Sequence, residues 1–258
     1  MFVPKRLLPL SIGVMLSSLI SIPQLNKKHL SIDFPNRFNS VASAQTVEGY
    51  VPPPRRISRT QRRDGSGSRG CRNSKAIATS LTLLVPSDHV PTTVSSHPTF
   101  LWYVSDVVAA PVRFTLVEQQ SLKPVFTKQL KIQKAGIMQL QIPSSAPALV
   151  EGKQYRWTVA LVCNKKRPSE NKNAYAWIER APLEGKLPQI LAGATSRQER
   201  ALILAQAGIW YDAVSTLYET SQRNSDKRLA FSASNSFSQL LEQVGLSEIS
   251  QVTERATI

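Results

Sequence analysis

Histidines, carboxylates and cysteines are the side chains of this sequence that could do chemistry. Asp88, His89 and His97 would supply three ligands if the loop between the histidines folded back, and a metal site needs three or four that converge. Loop and turn positions explain these residues without a metal, so no metal site is assigned. His29, the third histidine, falls near the N-terminus. Glu118, Glu151 and Glu179 could pair as the two carboxylates of a glycoside hydrolase. Carboxylates at strand ends are ordinarily solvated instead. Serine hydrolysis needs Ser, His and an acid brought together, and nothing like a nucleophile elbow occurs. "DGSGSRG", residues 64–70, follows no predicted strand and opens no predicted helix, so it does not read as a phosphate loop. The expectation is a non-enzymatic protein without a cofactor.

The two cysteines, Cys71 and Cys163, form no CxxC motif, so neither a redox motif nor a zinc knuckle is supported. In an oxidising compartment they would bond to each other. Closing so long a loop is worth about 4–5 kcal/mol in the chain-entropy picture.

The N-terminus points to such a compartment. Lys5 and Arg6 precede a mostly apolar run over residues 7–22. A small-x-small site follows in "VASAQT", with Ala42 and Ala44 at the cleavage positions. The polar stretch between run and site is long for a signal peptide, which leaves an uncleaved anchor as the alternative for residues 1–44. The run is short of the roughly 20 residues that span a bilayer. Export to the periplasm or cell envelope is the expected localisation.

The formal net charge of +15 invites a nucleic-acid reading, but its distribution argues otherwise. Residues 1–44 carry five basic and one acidic side chain, residues 45–75 eight and two, and the remaining 183 residues nineteen and fourteen. Two thirds of the excess therefore lies outside the predicted globular part. Residues 45–75 read as a disordered Arg/Pro/Gly-rich linker, with six arginines between Arg55 and Arg69. Such a segment could contact an anionic polymer or lipid electrostatically. Export argues against nucleic acid, and no aromatic interleaves the arginines to stack on bases.

Residues 76–182 alternate with period two and predict seven short strands separated by Pro, Gly, Asp and Asn, the pattern of an antiparallel sandwich. In "QYRWTVALVC", Tyr155, Trp157, Val159, Leu161 and Cys163 share one face and Arg156, Thr158, Ala160 and Val162 the other. A strand so apolar belongs in the centre of a sheet. Val112, Phe114 and Leu116 point inward on their strand, and Arg113 outward. "LVEGKQYRW" resembles the tyrosine corner of immunoglobulin-like and fibronectin-III-like domains, with Tyr155 bonding back to upstream backbone. "HPTFLWYV" resembles the strand that carries the core tryptophan, here Trp102. Cys71 precedes the first strand, so the usual core disulfide of an immunoglobulin domain is absent.

From Ser196 the period becomes helical. Ser196 is the expected N-cap, Glu199 its capping-box partner and Gly208 the stop. Leu202, Ala205 and Ile209 would line one face. A second helix follows the turn, and a third over residues 228–244 carries Phe237, Leu240, Leu241 and Val244. Pro182, Gly185 and Pro188 mark a connector before them. Ala201, Leu204, Gly208, Trp210, Ala213 and Leu217 have the spacing of a tetratricopeptide-like helix pair, with Gly208 and Ala213 small where the helices approach. Residues 187–250 thus read as a helical hairpin domain. Trp210, Tyr211 and Tyr218 are its candidate partner-docking residues, Tyr211 and Tyr218 as exposed aromatics.

Six ordered motifs, "SRGC", "LTLLVP", "HPTFLWYV", "GKQYRWTVALVC", "WIER" and "ERALILAQAGIWYDAVSTL", resemble the cyanobacterial domain-of-unknown-function family nine-two-eight over residues 68–249. The resemblance implies exported proteins with a Gly/Arg-rich lead-in. It supplies no catalytic residue. The combined expectation is an all-β immunoglobulin/fibronectin-III-like sandwich followed by a small α-helical region. The whole would bind or scaffold a protein partner in the cell envelope. Binding of envelope glycan or anionic lipid through the basic linker, and hydrolysis by loop carboxylates, are the alternatives.

Overall fold

A computed structural model describes residues 49–54, 57–66 and 78–255. The strands are β1 (Arg62–Ser66), β2 (Leu81–Leu83), β3 (Thr92–Thr93), β4 (Thr99–Val104), β5 (Val112–Glu118), β6 (Pro124–Leu130), β7 (Gly136–Gln141), β8 (Gln154–Leu161) and β9 (Lys172–Arg180). Neighbours run β6-β5-β8-β9-β1-β2-β4-β7, and β3 adds to β9 in parallel. The other pairings are antiparallel. The result is a mostly antiparallel sheet curled into a half-barrel, with β1 paired on both sides as the hinge of the curl.

Alternation decides which face is buried. Along β8 every second residue, Tyr155, Trp157, Val159 and Leu161, is buried, while Arg156 is exposed and Thr158 half-buried. The strand lies between β5 and β9, the central place its sequence predicts. Inside the curl, Phe100 meets Phe114, Trp157 and Tyr211 with ring centroids 4.8–5.5 Å apart. Such aromatic pairs add about 0.5–1.5 kcal/mol each beyond their area burial. Val150 N–H donates to Tyr155 Oη at 2.9 Å, which is the upstream bond expected of that tyrosine.

The helices follow: α1 (Leu187–Gly193), α2 (Arg197–Gln206), α3 (Trp210–Arg223), α4 (Lys227–Gln243) and α5 (Ser247–Arg255). Ser196 caps α2 as predicted, accepting from Glu199 N–H at 3.0 Å. Glu199 returns the bond one residue earlier than a capping box requires, to Thr195 N–H. The buried stripe of α2 is Ala201, Leu204 and Ala205, with Leu202 only half-buried. Pro188 does not break the connector but opens α1, because a first-turn proline forfeits no helical hydrogen bond.

Two expectations are corrected. Sheet and helices are not separate domains: Thr46–Ile258 is one compact unit, and a single hydrophobic cluster runs from Phe114 and Trp157 through Tyr211 to Phe237 and Leu241. Nor is the predicted linker wholly a solvated spacer. Tyr50 is buried between His89 and Trp210, and residues 62–66, including the first part of "DGSGSRG", form β1. Burial of a tyrosine and strand pairing on both sides offset the entropy of ordering that composition alone suggests is unmet. The expected signal or anchor, residues 1–44, lies outside the described residues. Among those described, no helix is long and apolar enough to cross a membrane.

Candidate functional site

The helical aromatics are not the exposed set expected of a docking face. Trp210 is fully buried and its Nε1–H donates to Leu84 O at 2.9 Å. Tyr211 is also buried: its Oη accepts from Trp157 Nε1–H and donates to Trp177 O, both at 2.8 Å. Burial raises its pKa well above the ordinary 10.0. Tyr218 is half-buried against Phe237, with Oη 3.3 Å from Ile137 O. These aromatics are needed because α3 packs against β3 and β4, where apolar area and backbone acceptors both wait. Gly208 also has a different reason to be small. Its φ is +80°, and a side chain there would meet the backbone of Pro53 at about 3.0 Å rather than a facing helix.

The candidate chemical groups do not converge. Glu118 lies opposite the buried Tyr155, whereas Glu179 lies opposite Gln154, the next residue, so the two carboxylates sit on opposite faces of the sheet. They are also two strand spacings apart, roughly 9–10 Å. Lys153 holds Glu118 below the usual carboxylate range, Gln154 donates to Glu179, and Arg180 pairs with Glu151. His89 spends both ring nitrogens locally, with Nδ1 2.8 Å from Asp88 Oδ1 and Nε2 2.6 Å from Tyr50 Oη. His97 contacts Ser96 and Ala146 O. Among the described residues no cluster of His, Cys, Asp or Glu could hold a metal. Cys163 packs beside the core; Cys71 lies outside the described residues.

What the fold does bring together is on the outer face of β6-β5-β8-β9-β1. Thr127 pairs with Thr115, Thr115 with Thr158, Thr158 with Tyr175, and Tyr175 with Arg62. One row of outward side chains thus crosses five strands, about 19 Å at the usual strand spacing. The adjacent row holds Val117, Arg156 and Trp177. Three guanidiniums lie over the two rings: Arg59 is 4.8 Å from the centre of Trp177, and Arg62 and Arg156 are 5.7 and 5.9 Å from that of Tyr175. Arg59 is held further by Nε–H donation to Gln154 Oε1 at 2.7 Å. Arg113 stands on the same face one row away. None of these four arginines enters an ion pair among the described residues. The nearby carboxylates are already engaged: Glu179 accepts from Gln154 and Asp64 from Thr82.

Sequence reasoning missed this face because its parts are distant in the chain. Arg59 and Arg62 belong to the predicted linker, and no aromatic lies among the linker arginines. Trp177 and Tyr175 arrive from β9, more than a hundred residues later. The register is secured locally: Gln61 donates to His89 O at 2.6 Å and accepts from Trp177 N–H at 3.2 Å, while Val90 N–H donates to Ile57 O. Gln61 and Tyr211 therefore satisfy the edge of β9 in the gap between β1 and β3. "QRRDGS" has neither apolar alternation nor a β-branched residue, so it carried no strand signal.

No curated protein matches this chain. Residues 64–253 match the family described as Domain of Unknown Function (DUF928), and the chain belongs to that family.

Proposed function

We propose that this is an exported, non-enzymatic binding protein of the cell envelope, and that its ligand surface is the outer face of β5-β8-β9-β1. The stacking of Arg59, Arg62 and Arg156 on Trp177 and Tyr175 carries the reading. A guanidinium lying on an aromatic ring loses little freedom on binding and keeps its N–H edge for an anion. Export rests on the basic, apolar and small-x-small order of residues 1–44. A bond between Cys71 and Cys163 belongs to the same reading. The finer fold also belongs here. The orders β7-β4-β2 and β6-β5-β8-β9 and the Tyr155 corner favour a fibronectin-III-like sandwich with β1 added at its edge. The packing of α2 on α3 and α3 on α4 favours a tetratricopeptide-like pair that supports the sheet.

Site-specific photocrosslinking in cells tests the assignment. A probe replacing Thr158 should capture an envelope component, and one replacing Phe231, exposed on α4, should not. Capture from Phe231 alone would move the binding surface to the helices and restore a protein-scaffold role.

A further inference from the structure

The outer face has a composition that narrows its ligand. Resting on the binding surface proposed above, we infer that the ligand is an acidic polysaccharide, a chain bearing carboxylate or sulfate groups. Charge complementarity sets the sign: among the described residues Arg59, Arg62, Arg113 and Arg156 meet no carboxylate partner, so the face presents cationic edges. The planar fork of arginine matches carboxylate and sulfate through two parallel hydrogen bonds. The threonine row supplies the second element. Thr127, Thr115 and Thr158 stand side by side across three strands beside Tyr175. Hydroxyls both donate and accept, which suits the alternating hydroxyls of a sugar chain.

Other polyanions fit less well. A membrane would be met by apolar side chains able to enter the bilayer boundary. The exposed large apolar residues, Leu122, Ile190, Leu229 and Phe231 among them, lie on turns and helices and not on these rows. A single-stranded nucleic acid would stack its bases on open ring faces. Here Tyr175 and Trp177 are already covered by guanidiniums.

The test uses the full chain purified from the envelope, with calorimetric titration of polygalacturonate, dextran sulfate, neutral dextran and phosphatidylglycerol vesicles. Binding of polygalacturonate or dextran sulfate, with none of neutral dextran and at least tenfold weaker binding of vesicles, is the expected result. The triple substitution Arg59→Lys, Arg62→Lys, Arg156→Lys keeps the charge and removes the fork, and should weaken binding at least tenfold. Thr115→Val with Thr158→Val leaves every charge in place and should cost a further three- to tenfold. Equal binding by the lysine variant would reduce the effect to bulk charge and overturn the inference. Preference for vesicles would overturn it in favour of a lipid surface. If no polysaccharide binds while the Thr158 probe still captures an envelope component, this inference fails and the binding face survives. If Thr158 captures nothing, both fail.

Discussion

Tyr211→Phe is the sharpest probe of how sheet and helices are joined. The substitution keeps the ring, which packs against Phe100 at 5.5 Å and Trp157 at 6.3 Å, and deletes only Oη. That oxygen takes the Trp157 indole proton and gives its own to Trp177 O. Without it, one buried donor and one part-buried acceptor lose their partner. An unsatisfied buried group costs about 1–3 kcal/mol, so some relaxation still leaves a loss of about 2–4 kcal/mol. For a domain of this size 1 kcal/mol corresponds to roughly 2–4 °C, so Tm should fall by roughly 4–16 °C. Urea unfolding followed by tryptophan fluorescence measures the change, with an unaltered m-value indicating an unaltered native surface. An exposed docking tyrosine would instead give a change within about 0.5 kcal/mol. A loss that small would refute the buried bridge.

Two further predictions concern charge and covalent closure. Asp212 is half-buried at the start of α3, accepting from Thr93 Oγ1–H at 2.6 Å and Val94 N–H at 3.1 Å; desolvation outweighs these bonds and raises its pKa above the ordinary 3.8. The folded state then holds the proton more tightly than the unfolded, so the stability it contributes is present below pH 3.8 and is lost as pH rises through the folded value. The stability of the native protein minus that of Asp212→Asn should therefore fall with rising pH across that window, and a flat or rising difference would contradict the burial account. For the proposed Cys71–Cys163 bond, thiol titration of denatured, unreduced protein should find no free thiol, and reduction should lower stability by about 4–5 kcal/mol. Two free thiols in protein taken from the envelope would end that proposal.

Period-two alternation was enough to place the strands from β4 to β9 within a few residues and to give Val112, Phe114, Leu116 and the Tyr155 face their inward direction. That follows because side-chain direction in a strand is a local property. The end of α2 was likewise legible, because Ser196 and Gly208 act on backbone groups next to them. Family membership was legible in the order of the motifs.

Tertiary structure alone decided the rest. "QRRDGS" has no strand propensity to speak of, and it becomes β1 because β9 and β2 each offer an unpaired edge. Tyr211 reads as an exposed helix aromatic, yet a helix in contact with a sheet buries the side it presents, and only the packing says which side that is. The arginine–aromatic face has the same origin. Composition determined that six arginines would lie between Arg55 and Arg69. Which rings would lie beneath them depended on strand order, a long-range property that no window of sequence contains.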